Sequence, residues 1–125
     1  MIFGIGVDLV ETPRIERLLD QYGERFARRV LTELEWPGYQ RSNKKVLFVA
    51  NRFAAKEAFS KAMGTGFRYP VTLQNISVVQ NKAGKPGYVL SEALTAMMDQ
   101  HEIAGHHLTI SDEKSMACAV AILEK

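Results

Sequence analysis

A single cysteine, Cys118, is all this chain contains, so an internal disulfide framework is excluded and a reducing compartment fits. No apolar stretch approaches the roughly 20 residues that span a bilayer. The N-terminal run has no basic segment and is interrupted by Asp8, so no secretory signal is expected. A soluble cytoplasmic protein without membrane contact is the expectation. Neither sign of charge dominates: Lys+Arg 16 against Asp+Glu 14 leaves +2, which neither demands nor excludes nucleic acid or an acidic protein. A Walker loop and a Gly-x-Gly-x-x-Gly turn are both missing, which excludes ordinary P-loop kinases and dinucleotide-binding enzymes. Internal repeats, low-complexity tracts and linkers are missing too. With 46% hydrophobic and 24% charged residues, disorder is not expected, and a single domain over residues 1–125 is.

What the chain does have is a long run without helix breakers, from about Asn43 to Ala62. Ala50, Ala54, Ala58 and Ala62 recur every fourth residue, a small stripe along which another backbone can approach closely. Val49, Phe53, Glu57 and Lys61 form a second stripe that passes from apolar to charged. Taken alone, Glu57 and Lys61 are an exposed helix pair of about 0.2–0.5 kcal/mol. Ahead of that helix, Met1 to Glu11 reads as a strand with Phe3, Ile5, Val7 and Leu9 on the core face. Gly4, Gly6 and Asp8 share the other face, where the glycines admit a ligand or another backbone. Thr12-Pro13 is a helix start with Thr12 as cap, and Ile15, Leu18, Leu19 and Tyr22 mark its buried stripe up to Gly23. A short helix over 24–31 follows. Thr32-x-x-Glu35 then has capping-box spacing and opens a turn limited by Pro37 and Gly38. Ser42 or Asn43 caps the long helix and Gly64 ends it in the left-handed conformation. Residues 71–80 and 88–90 form a hairpin, Ser91 caps a helix to about Ile103, and 107–111 with 115–123 form a second hairpin. The order is β-α-α-α-β-β-α-β-β, an α+β fold with a small, mostly antiparallel sheet packed with helices. A sheet this small is expected to close against neighbouring subunits.

Asp8 and Glu57 are 49 residues apart, so only the fold unites them. Two carboxylates with no cysteine nearby make a hard oxygen site suited to Mg²⁺, which takes one or two protein carboxylates, water and phosphate oxygens. Lys61 adds a cation for phosphate charge, with Arg52 and His107 as further candidates. Phosphoryl-type transfer is the reaction class such a set favours. Arg14, Arg17, Arg25, Arg28 and Arg29 crowd one early segment, a candidate basic docking face. A rival is a small basic nucleic-acid-binding module without catalytic activity, because Gly84-Lys85-Pro86-Gly87 spells the Gly-x-x-Gly of KH loops. That loop needs flanking helices, whereas strands flank it here, and no set of strand aromatics is present for stacking.

Gly4-Ile5-Gly6-Val7-Asp8-Leu9-Val10-Glu11 followed by Arg52-Phe53-Ala54-Ala55-Lys56-Glu57-Ala58-Phe59-Ser60-Lys61-Ala62 resembles the two-part signature of 4′-phosphopantetheinyl transferases. Length, Gly64-Thr65-Gly66, Gly84-Lys85-Pro86 and the His107-to-Lys114 hairpin resemble the short subgroup of that family. The resemblance implies transfer of the phosphopantetheine arm of coenzyme A to a serine of acyl carrier protein, in fatty acid biosynthesis, with release of adenosine 3′,5′-bisphosphate. It implies Asp8 and Glu57 as Mg²⁺ ligands, with Glu57 also helping to deprotonate the serine directly or through water. Lys61 is then a phosphate contact. Arg52 and His107 contact coenzyme A phosphates, His107 at the 3′-phosphate, while Gly64, Thr65, Gly66 and Pro86 line the coenzyme A site. Arg14 meets the acidic carrier protein, a role that charge extends to Arg17, Arg25 and Arg28. The family resemblance also implies a homotrimer with active sites between subunits.

Overall fold

A computed structural model describes residues 1–125. Strand β1 (Ile2–Glu11) leads into three short helices, α1 (Thr12–Tyr22), α2 (Glu24–Val30) and α3 (Trp36–Arg41), and then the long α4 (Lys45–Met63). A 3₁₀ turn (Leu73–Asn75) precedes β2 (Ile76–Gln80), β3 (Pro86–Leu90), α5 (Glu92–Gln100), β4 (Gly105–Asp112) and β5 (Met116–Glu124). The α+β class and the order of the strands are as expected, with one helix more than the sequence predicts: α3 forms where only a turn limited by Pro37 and Gly38 is expected. The strands make two antiparallel sheets, β1-β5-β4 and β2-β3.

Helix α4 lies on the three-stranded sheet through small residues on both sides. Ala50, Ala54 and Ala58 are fully buried, as are Ala117, Ala119 and Ala121 of β5. A Cβ on Gly4 would overlap the Ala62 carbonyl oxygen, and one on Gly6 the Ala58 carbonyl oxygen. Helix and strand backbones therefore touch, and dispersion between closely packed chains replaces the large side chains of an ordinary helix–sheet interface. Larger residues such as Phe59, Ile76 and Leu94 fill the space further out. Phe59 meets Tyr88 edge-on at 5.1 Å, and the Tyr88 hydroxyl donates to the Ala55 carbonyl at 2.6 Å.

This packing inverts the expected orientation of β1. Its glycine face is the inner one, while Ile5, Val7 and Leu9 are 59%, 52% and 63% exposed. Alternation located the two faces correctly, but it cannot tell which one a helix covers, and only the glycine face admits α4. Other expectations fail locally. Thr12 is the first helical residue rather than the cap; its hydroxyl donates to Lys114 O at 2.9 Å, tying α1 to the β4–β5 turn. Lys44 occupies the cap position of α4, with no side-chain cap from Ser42 or Asn43. Helix α3 runs through Pro37 and Gly38, because proline in a first turn lacks only an N–H that has no helical partner. Residues 71–75 are not strand, and α5 stops at Gln100, short of Ile103. Tyr22 is 48% exposed, lining a surface cavity rather than the core. Gly64 does end α4 with φ 79°, and Ser91 does cap α5, accepting from Leu94 N at 3.2 Å. Gly84 and Lys85 lie in the turn between β2 and β3, and Pro86 and Gly87 begin β3 itself, so the helix-flanked clamp required by the nucleic-acid reading is not formed.

Candidate active site

The close approach of β1 to α4 delivers Asp8 to the charged end of the helix's second stripe. Lys61 Nζ donates to Asp8 Oδ1 at 3.1 Å and to Val7 O at 3.2 Å. The ion pair of Lys61 is thus with the strand, across 53 residues, and not with its helical neighbour Glu57. Burial, then the Asp8 carboxylate, push the Glu57 carboxyl above its ordinary value, against the opposing pull of Lys61 and Arg14. Two carboxylates, one lysine and one arginine from β1, α4 and α1 therefore share one electrostatic environment. No three His, Cys, Asp or Glu side chains gather anywhere into a metal-holding group. A two-carboxylate oxygen set fits Mg²⁺, which completes its shell with water and phosphate oxygens, and it does not fit a structural zinc site.

Arg52 lies five residues before Glu57 and nine before Lys61, roughly 140° and 180° around the helix. Its guanidinium rests on the Phe48 ring, 3.5 Å from the centroid, and lines a cavity of about 130 Å³ with Asn51, Gln80, Gly84, Pro86 and Asp112. Pro86 and Arg52 thus come together, on the side of α4 away from Asp8. His107 stands on β4 with its ring nitrogen bonded to the Glu124 carboxylate of β5. It occupies the outer face of the sheet, opposite Ile122, and does not approach Asp8 within one chain. Gly64, Thr65 and Gly66 follow directly on the lysine end of α4. Gly64 and Gly66 adopt φ 79° and 64° with open space at their missing Cβ positions, so conformation is what calls for glycine there.

Arg14, on α1, stands between the Asp8–Glu57–Lys61 cluster and the arginine-rich face, its guanidinium 5.9 Å from the Phe53 ring centroid. Beside it, Leu18, Tyr22, Phe26 and Phe53 line an open cavity of about 430 Å³ flanked by Arg25 and Arg29. Arg28 stacks on Trp36 at 3.9 Å and pairs with Glu33 at 3.8 Å, and Arg17 is exposed on α1. Composition had marked the arginines. The apolar cavity between them was missed because its residues come from α1, α2 and α4 and carry no local pattern.

The chain is similar to known proteins over its whole length. The sequence model of the 4′-phosphopantetheinyl transferase superfamily matches residues 4–121. The holo-[acyl-carrier-protein] synthase of Nitrosospira multiformis is 55% identical over 125 residues, covering 100% of each chain. The crystal structure of holo-[acyl-carrier-protein] synthase from Neisseria meningitidis is similar with a TM-score of 0.97 and 41% identity over 100% of each chain. That of a holo-(acyl-carrier-protein) synthase from Bacillus anthracis, in complex with CoA (3′,5′-ADP), has a TM-score of 0.84 at 40% identity, covering 100% of this chain and 98% of the other. With the paired acids and the lysine set on the strand and helix that carry the two halves of the signature, the chain belongs to the 4′-phosphopantetheinyl transferase superfamily.

Proposed function

We propose that Asp8, Glu57 and Lys61 are the reacting side of a holo-acyl-carrier-protein synthase site. The reaction moves the 4′-phosphopantetheine arm of coenzyme A to a serine of apo acyl carrier protein. A serine oxygen–phosphorus bond forms, the pyrophosphate bridge of coenzyme A breaks, and adenosine 3′,5′-bisphosphate leaves. The observation that carries this assignment is the meeting of Asp8, Lys61 and Glu57 across 49 residues or more of chain. Glu57 accepts the serine proton, directly or through water, as a carboxylate held by α4 one turn from Lys61 and beside Asp8. Asp8 and Glu57 would also hold Mg²⁺, which would supply Lewis-acid neutralisation of the phosphate charge. Lys61, already bridging strand and helix, meets the phosphate.

Arg52, Pro86, His107 and the Gly64–Gly66 loop take the coenzyme A side. Arg52 and Lys61 sit on opposite flanks of α4, and His107 on the far face of the sheet, so one chain does not place both sides around one substrate. The exposed row Ile5, Val7 and Leu9 gives the sheet an apolar face for a neighbour. Both features support a homotrimer with sites between subunits. The acidic carrier docks on Arg14, Arg17, Arg25 and Arg28, with the apolar cavity beside them supplying contact area. No helix is long and apolar enough to cross a membrane; the lone thiol Cys118 supports a cytoplasmic setting.

The test is mass spectrometry of apo acyl carrier protein incubated with this protein, coenzyme A and Mg²⁺. The carrier is expected to gain one phosphopantetheine on its serine, dependent on coenzyme A and lost on chelation. An unmodified carrier would sink the assignment, and modification that survives chelation would sink the metal's part in it.

A further inference from the structure

Behind Glu57 lies a buried charge cluster that the transfer reaction does not use. The side chains of Lys56 and Glu35 are both fully buried. Lys56 Nζ donates to Glu35 Oε1 at 2.6 Å, to Val30 O at 2.5 Å and to Leu73 O at 3.1 Å, so all three of its protons have acceptors. Glu35 also accepts from Thr32 N at 2.8 Å and Val78 N at 2.9 Å. Arg52 stands one helical turn before Lys56. Its Nε is buried without a hydrogen-bond partner, 4.0 Å from Glu35 Oε2, and its Nη1 donates to Phe48 O at 3.4 Å. Asp112, the other carboxylate at the Arg52 cavity, accepts from Asn51 at 3.0 Å and makes no ion pair with Arg52. Two cations thus share one anion, and Lys56 has the nearer claim.

We propose that Lys56 is a positioning residue for coenzyme A: by saturating Glu35 it keeps Arg52 an unneutralised cation on its cavity wall, one negative charge short. A phosphate supplies the missing charge. This rests on Arg52 being a coenzyme A phosphate contact.

Lys56→Met leaves Glu35 to Arg52 alone. Adenosine 3′,5′-bisphosphate binding, measured by calorimetry, is expected to weaken about tenfold or more, the scale of one charge-assisted contact. Adding Glu35→Gln frees Arg52 again and is expected to restore affinity to within about threefold of the parent. A purely structural lesion would be relieved in that double variant too, because removing both buried charges is milder than stranding one. The discriminating measurement is therefore Lys56→Met in an Arg52→Ala background, where no further loss of binding is expected and a further loss of about tenfold overturns the proposal. Parent-like binding by Lys56→Met, or Lys56→Met with Glu35→Gln binding no better than Lys56→Met alone, overturns the proposal while leaving the role of Arg52 intact. Parent-like binding by Arg52→Ala overturns the role of Arg52 and the proposal together. Should Lys56→Met not fold, nitrogen-15 NMR of the unsubstituted protein decides. On titration with adenosine 3′,5′-bisphosphate the Arg52 Nε–H signal should move and the Lys56 ammonium signal stay; any other pattern overturns the proposal.

Discussion

At the scale of single residues, Glu57 is where the proposed site is most directly open to test. Its side chain is half-buried, and its carboxyl is raised by burial and by Asp8. Glu57→Gln keeps the shape and removes both the negative charge and the proton acceptor. Transfer is expected to fall by about 10²-fold or more, the usual worth of a positioned base, with the circular dichroism spectrum unchanged. Parent-level turnover in that variant would refute the role. His106 offers a separate handle, on stability. Burial, followed by the charge of His107, lowers its pKa below the ordinary 6.5, and its ring stands edge-on to Tyr88 at 5.9 Å. The unfolded chain therefore binds this proton more readily than the folded one. The stabilising contribution of neutral His106 is complete above about pH 6.5 and is lost as pH falls through the depressed folded value. Melting temperature should drop between about pH 7.5 and pH 5.5, and His106→Gln should flatten part of that drop. An unchanged slope would show that His106 does not contribute.

At the scale of elements, the pairing of β1 with α4 decides whether there is a site at all. Asp8 reaches Lys61 because the strand backbone lies against the helix, and it lies there because Gly6 has no Cβ to strike Ala58. Gly6→Ala is expected to lower stability by about 1–3 kcal/mol, as overpacking does, when measured by denaturant unfolding. Activity should fall further than that loss accounts for, since the strand that must move carries Asp8. If the variant is as stable and active as the parent, the backbone contact is not what fixes the site. Half of this interface was legible: an alanine stripe and a glycine-bearing strand each invite a close neighbour. The sequence could not say that each is the other's neighbour. Thr32-x-x-Glu35 was legible in the same partial way. The Glu35 carboxylate does reach back to the Thr32 N–H, as a capping box requires, but its main business is with Lys56 and Val78.

At the scale of the whole molecule, the exposed row Ile5, Val7 and Leu9 beside β5 is the feature that a lone chain leaves unexplained. Val7→Glu places a charge on that outer face, away from α4. By sedimentation at micromolar concentration the parent is expected to run as a trimer and the variant as a monomer. The monomer should keep its helical spectrum and lose transfer, because Arg52 and Lys61 of one chain face away from each other. A parent that sediments as a monomer, or an active monomeric variant, would refute sites between subunits.

Sequence alone determined what short-range chemistry encodes: the order of the strands, the breaker-free helix, the glycine and serine caps that held, and the spaced acid–lysine signature. These depend on propensity and period, which neighbouring residues set. Only the tertiary structure decided which face of β1 is inner, that Lys61 pairs with Asp8 rather than Glu57, and that Lys56 and Glu35 close a buried cluster beside Arg52. Each of those joins residues at least 21 positions apart, or depends on whether a Cβ fits against a backbone, and no local pattern carries either.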